Sequence, residues 1–329
     1  MEATAQPLVQ VTQSQPGTTN TVTKIPAQSV PSDWASLGVE TGYKPLSVNQ
    51  LRMFILGPEG QGKTTFIAGS PKTLILDYEG GAWGIPNPRA HRIHVTTFEM
   101  QHRFTDKLVA DAKAGRRFYD RIVFDTIDQL VELMNDELSI IYKDNLTKGI
   151  PDIRNYGQKG AGYVLLARYC WDEIQKVEKA GYAWTCTGHL TEKTITIGNT
   201  DRTVIRPVVS GTISDLVGRN CEVVATINQR QESVEFFREI QGRKISGGFN
   251  TIQATYLEAT TMNPVEGVAQ GKVRGVPPMR TKILLPNPMT GEQGWDKFAA
   301  AYDEAAASVI NTFNPFTTYP PLTVGEPPK

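Results

Sequence analysis

Eight consecutive residues, Gly57-Pro58-Glu59-Gly60-Gln61-Gly62-Lys63-Thr64, carry the spacing G-x-x-x-x-G-K-[ST] of a loop that cradles phosphates. The apolar run Met53-Phe54-Ile55-Leu56 precedes them and the short helical run Thr65-Phe66-Ile67-Ala68 follows. In that setting a buried strand aims the loop and its backbone N–H groups converge on phosphate oxygens. The helix adds its positive N-terminal dipole to the same anion. Gly57, Gly60 and Gly62 let the backbone take φ > 0 and approach a ligand without a Cβ in the way. Lys63 would reach the β- and γ-phosphates of a nucleotide, and the Thr64 hydroxyl would hold Mg²⁺. With Thr65, which opens the helical run, the candidate nucleotide-binding set spans residues 57–65.

Three further side chains stand where such a loop needs chemistry. Arg121-Ile122-Val123-Phe124-Asp125 reads as a buried strand delivering a carboxylate beside Thr64, where it can orient Mg²⁺ through water. A helix cap is the other use of an Asp at a strand end, and Thr126 suits that use as well. Leu74-Ile75-Leu76-Asp77-Tyr78-Glu79-Gly80-Gly81 puts Glu79 at a neighbouring strand tip, which makes it the candidate to polarise an attacking water; a solvated turn residue before two glycines is the alternative. Trp184-Thr185-Cys186-Thr187-Gly188-His189 ends in a histidine that can donate to a γ-phosphate and register its loss. His91, His94 and His102 have no comparable setting.

These residues require a scaffold that brings strand ends together. Strands are predicted at Met53–Leu56, Thr73–Asp77, Arg92–Val95, Arg121–Asp125 and Ala183–Gly188, with helices at Glu99–Ala114, Ile127–Tyr142 and Tyr163–Ala180. Such alternation implies an α/β fold with a mostly parallel central sheet flanked by helices. After Gly188 the pattern changes. Thr191–Ile197 and Thr203–Val209 read as a hairpin around Gly198-Asn199-Thr200-Asp201. Glu222–Asn228 and Val234–Ile240 read as a second antiparallel pair around Gln229-Arg230-Gln231-Glu232. Antiparallel strands should therefore extend the parallel half.

The chain has 329 residues, 40% hydrophobic and 21% charged, enough for a full α/β core. Residues 1–32, rich in Gln, Thr, Pro and Ser, read as a disordered arm, and 33–50 as a lead-in to a core over 51–250. A C-terminal extension with a helix should occupy 251–310, before a proline-rich tail at 311–329. Equal numbers of basic and acidic residues, 34 of each, leave no global field for nucleic acid, so DNA contacts would have to come from local loops. Cys170, Cys186 and Cys221 sit apart in apolar surroundings and suit buried small side chains in a reducing, cytoplasmic setting. No run has the length of a membrane span.

The order of these motifs resembles a RecA-type ATPase core, and more closely the RecA-like phage nucleotide-binding proteins of the single-strand annealing group, also described as a phage AAA domain. The resemblance covers about Leu51 to Lys244 and rests on Gly57–Thr65, Asp77-Tyr78-Glu79-Gly80-Gly81, Ile122–Asp125, Asn155-Tyr156-Gly157 and Gly188-His189-Leu190. It implies ATP and Mg²⁺ as cofactors, with Lys63 and Thr64 on phosphate and metal, Asp125 as the second acidic motif, Glu79 as the water activator and His189 as the γ-phosphate sensor. It also implies a ring or filament of identical subunits on single-stranded DNA, with phage or host replication proteins as possible company. Arg243 and Lys244 would then reach a neighbour's ATP. Lys148, Arg154, Tyr156 and Lys159 in one loop, and Lys193, Arg202 and Arg206 in another, would face the DNA. A histidine stands where bacterial recombinases have glutamine, which favours annealing or loading over strand exchange.

Two readings follow: an ATPase stimulated by single-stranded DNA, and a nucleotide switch whose loops hold a protein partner such as a helicase loader or assembly factor. A small-molecule kinase is disfavoured, because no acceptor-binding lid is evident.

Overall fold

A computed structural model describes residues 45–146, 152–197, 200–209, 211–240, 243–259, 272–273 and 282–312, at some positions inside the long strands and at the end of the last helix by backbone alone. The expected arm at 1–32 and all of the tail past residue 312 lie outside the described residues, as does Lys148. Pro45–Val309 makes one compact unit.

Six strands run parallel at its centre. They are β1 (Met53–Gly57), β2 (Thr73–Asp77), β3 (His91–His94), β4 (Arg121–Asp125), β5 (Ala183–Ile197) and β7 (Val223–Ile240), in the order β7-β1-β5-β4-β2-β3. The antiparallel extension consists of β6 (Thr200–Pro207) on β5, β8 (Arg243–Glu258) and β9 (Lys272–Val273) on β7, and β10 (Lys282–Leu285) on β8. The expected α/β architecture is thus the one observed. One strand, β5, stands between the loop-bearing β1 and the Asp125-bearing β4.

β1, β2 and β4 are buried along their whole length, which is why their sequences are largely continuous apolar runs instead of alternating ones. Phe54, Leu56, Ile122 and Phe124 point to a face covered by α2 (Phe98–Lys113), α3 (Ile127–Ile141), α4 (Ala161–Lys179) and α5 (Gly211–Asn220). Met53, Ile55 and Val123 point to the other, covered by α1 (Lys63–Ala68) and α6 (Gly294–Thr312). Phe66 of α1 meets Trp295 and Phe298 of α6 at 5.7 and 5.8 Å between ring centroids. The helix in the C-terminal extension therefore completes the core. Positions 250 and 251 lie inside β8, within this compact unit.

A correction concerns β7. Gln229-Arg230-Gln231-Glu232 does not turn; the strand passes straight through it and pairs with β8 from Thr226↔Glu258 to Ile240↔Arg243. Polar character suggested a turn, but these four residues include no glycine, proline, Asn or Asp to supply turn geometry, and solvent-facing strand positions accept them. The two strands stay paired up to Ile240↔Arg243.

Arg121 fixes the bottom of the sheet. It is 1% exposed and donates to the carbonyls of Leu51 (2.7 Å) and Val48 (2.9 Å) and to Thr185 Oγ1 (2.7 Å). Its guanidinium lies 5.0 Å from the ring centre of Trp295, and burial pulls its pKa down to about 9. One cation so joins the lead-in segment, β4, β5 and α6.

Candidate active site

Lys63, Thr64, Glu79, Asp125 and His189 were separated in sequence by up to 126 positions, and the register of the sheet brings them to one edge. Gly57 at the end of β1 is level with His189 on β5, and Asp77 at the end of β2 is level with Asp125 on β4. All of these strands are parallel, so their carboxyl ends and the loops that follow lie along a common rim.

The loop at 57–62 takes its shape from its glycines, with one correction. Gly60 (φ 72°) and Gly62 (φ 93°) adopt the left-handed conformation expected of them. Gly57 does not; a Cβ there would come within 2.5 Å of Ile227 O, so this glycine serves the contact with β7. Gln61 strengthens that contact by accepting the Gln229 N–H at 2.7 Å. The Lys63 ammonium, 5% exposed as a residue, donates to Gly57 O at 3.0 Å and Pro58 O at 2.9 Å, which holds it over the loop. Burial lowers its pKa, and Asp125, Glu79, Asp128 and Glu59 oppose that shift.

Asp125 is 3% exposed and accepts hydrogen bonds from the Thr187 and Thr64 hydroxyls. It does not cap a helix: Thr126 occupies the N-cap position of α3. Desolvation pushes the Asp125 carboxyl up to about 6, with Asp77 and Glu79 adding repulsion that the two hydroxyls partly offset. A buried acid tied to Thr64 and crowded by other acids is suited to a divalent cation held by Thr64 directly and by Asp125 through water. Among the described residues no set of three His, Cys, Asp or Glu is placed to hold a metal ion.

The raised pKa carries a sign. The folded form binds the Asp125 proton more tightly than the unfolded chain does, so its contribution to stability is present below about pH 4 and lost as pH rises through about 6. Asp125→Asn is therefore expected to melt about 3–6 °C higher than the parent at pH 7.5 without ligand, and no higher at pH 4. Differential scanning calorimetry at the two pH values checks this; an equal or lower melting point at pH 7.5 contradicts it.

Glu79 is presented by a side chain that the motif reading left without a task. Asp77, 1% exposed, accepts backbone N–H groups from Glu79 (3.1 Å), Gly80 (2.8 Å) and Ala82 (2.9 Å), folding the loop after β2 back on its own strand end. Thr126 then donates to Glu79 Oε1 at 2.7 Å, and His189 Nδ1 lies 3.7 Å from the same oxygen. Asp128 was likewise not singled out. Its Oδ2 accepts the His189 N–H at 2.7 Å and lies 3.2 Å from His189 Nδ1. The hydrogen bond to Asp128 is the largest cause of a raised His189 pKa, which desolvation and Lys63 oppose. The only signal available for Asp128 was an acid in the first turn of α3, which dipole complementarity already explains.

Beside the loop a cavity of about 220 Å³ opens between Gly62, Thr65 and Phe66 on one side and Leu285, Pro286 and Gln293 on the other. The C-terminal extension thus walls the space next to the loop.

The remaining expected residues are dispersed. Arg154 is engaged by Asp152 at 2.9 Å and Glu132 at 3.1 Å, and Tyr156 packs edge-on against Tyr142. Lys159, Lys193 and Arg206 are exposed, the latter two on the β5–β6 hairpin with the backbone of Arg202. Arg243 and Lys244 open β8 at the tip of the β7–β8 hairpin, where the Arg243 side chain is exposed. Cys170, Cys186 and Cys221 are buried free thiols, and burial raises the pKa of the first two. Among the described residues no helix is long and apolar enough to cross a membrane.

Comparison with known proteins adds a lineage to this geometry. The family model described as an AAA domain matches residues 49–260, more than half of the chain. No curated protein matches. Among solved structures, the RadB recombinase aligns over 68% of this chain and 92% of its own, at 14% identity and a TM-score of 0.32.

Proposed function

Since the chain belongs to the AAA domain family, we propose that it is a RecA-like ATPase of the phage single-strand annealing type, hydrolysing ATP with Mg²⁺ on single-stranded DNA. The convergence of Lys63, Thr64, Glu79, Asp125 and His189 on one edge of the parallel sheet carries the reading.

In this reading the loop amides and Lys63 hold the β- and γ-phosphates, and the base and ribose lie in the cavity between Thr65 and Pro286. Mg²⁺, when bound by Thr64 and by Asp125 through water, supplies charge neutralisation at the phosphates. Glu79, its Oε1 fixed by Thr126, takes a proton from water as that water's oxygen bonds to the γ-phosphorus and the β–γ bridging bond breaks. His189 donates to the γ-phosphate and loses that contact on its release. The hairpin that continues directly from His189 then changes its hold on DNA through Lys193, Arg202 and Arg206.

Arg243 and Lys244 act on a neighbour's ATP. From Ile227, which touches Gly57, β7 runs to Ile240 beside Arg243, roughly 40 Å at the rise of a strand. That length supports reach in trans within a ring or filament and argues against reach in cis. A protein of this kind works in the cytoplasm of the host, alongside phage or host replication proteins.

Steady-state ATP hydrolysis measured with and without a single-stranded oligonucleotide tests the proposal. The expected result is stimulation of turnover together with DNA binding that weakens as salt rises. Unchanged turnover and no salt-sensitive binding would overturn the DNA reading. They would favour instead a nucleotide switch acting on a protein partner, a reading that the ion-paired state of Arg154 supports.

A further inference from the structure

We propose that Asp128 is the positioning residue of this site: its carboxylate fixes the His189 ring with Nδ1 as the proton-bearing nitrogen and leaves Nε2 to meet a phosphate oxygen. Three observations carry this. A single oxygen, Asp128 Oδ2, faces both the His189 backbone N–H (2.7 Å) and its Nδ1 (3.2 Å), so the ring and the chain that bears it are held from one point. Nδ1 so placed is a donor, because a carboxylate can only accept. The second observation is Asp128 Oδ1, which is buried and has no hydrogen-bond partner among the described residues. Leaving such an oxygen dry is unfavourable, and no amide of α3 donates to this carboxylate among the described residues, so helix capping does not account for it. Third, Asp128 stands at the start of α3, directly after the strand end that bears Asp125, while His189 is level with Gly57 at the mouth of the phosphate loop. The pair thus links the second acidic strand end to the strand that becomes the hairpin.

The charged groups around the ring come from three elements: Lys63 on α1, Glu79 after β2 and Asp128 on α3. The two acids favour the imidazolium and Lys63 disfavours it; the net shift is upward. The upward shift favours the imidazolium, in which Nε2 also bears a proton and donates more strongly than a neutral imidazole.

The inference rests on the ATPase reading for its consequence, but its core is a property of the ligand-free protein. Long-range ¹⁵N–¹H correlation spectra of ¹⁵N-histidine-labelled protein, with His189 assigned from a His189→Gln sample, report which ring nitrogen carries the proton. In the parent, Nδ1 of His189 should be protonated throughout its titration. Asp128→Asn, which keeps an acceptor oxygen but removes the charge, should keep that tautomer and lower the His189 midpoint by about one pH unit. Asp128→Ala should abolish the tautomer preference and lower kcat about 10–100-fold with KM for ATP changed far less. Asp128→Asn should restore most of kcat. An unmoved His189 midpoint in Asp128→Asn overturns the proposal even if Asp128→Ala does not fold, as does an unchanged tautomer in folded Asp128→Ala. If the parent shows no ATPase activity, the function falls, and the spectra alone still decide whether Asp128 sets the ring.

Discussion

Replacing Lys63 by alanine is expected to lower ATP hydrolysis about 10²–10³-fold and to weaken nucleotide binding with it. The ammonium is nearly enclosed, and its own hydrogen bonds run to the carbonyls of Gly57 and Pro58, so it is held in place before any ligand arrives. A cation prearranged where phosphate charge develops loses nothing to reorganisation during the reaction. Alanine removes both that charge and the hydrogen bonds that hold it over the loop. A malachite-green phosphate assay measures the rate, and a fluorescent ATP analogue measures binding. Turnover within tenfold of the parent would show that this lysine belongs to the loop's structure and not to its chemistry.

Glu79→Gln should separate the two steps that Lys63→Ala loses together. Thr126 donates to Oε1, a contact that the glutamine carbonyl can accept in the same way, so the loop capped by Asp77 should keep its shape. What glutamine cannot do is take a proton from water. The expected result is a fall of about 10²–10⁴-fold in kcat with ATP still bound. At an ATP concentration about 100 times Kd, bound nucleotide should stabilise parent and variant alike by about 2.7 kcal/mol. Thermal melts with and without ATP, alongside single-turnover hydrolysis, read the two effects independently. A variant that no longer gains thermal stability from ATP would move Glu79 from the chemistry to the binding of nucleotide.

The sequence was most legible where a single element explains its residues. β2 and β4 match their expected limits, and α2, α3 and α4 differ from theirs by one or two residues at either end, because a buried apolar run or an apolar stripe at helical spacing leaves little choice. The convergence of Lys63, Glu79, Asp125 and His189 was legible for a related reason: Lys63 begins the helix after β1, Glu79 follows the end of β2, Asp125 ends β4 and His189 stands on β5 level with the end of β1, and topology alone sends those places to a common rim. What escaped was pairwise. Asp128 and Asp77 matter for the amides they receive from other segments or from residues further along, and no local pattern in either neighbourhood announces such a partner. The unbroken length of β7 escaped because the strand β8, which pairs with its polar stretch, was itself not foreseen.

The aromatic cover over Arg121 separates ancestry from self-sufficiency in this chain. The family match ends at residue 260, yet Trp295, whose ring lies against that cation, belongs to a helix more than thirty residues further on. A lineage that exchanged this helix for another would have to offer a new ring in the same spot, or give up the guanidinium along with it. The segment that matches the family, residues 49–260, and the compact unit Pro45–Val309 therefore have different borders, and Arg121 draws on a ring from beyond the first of them.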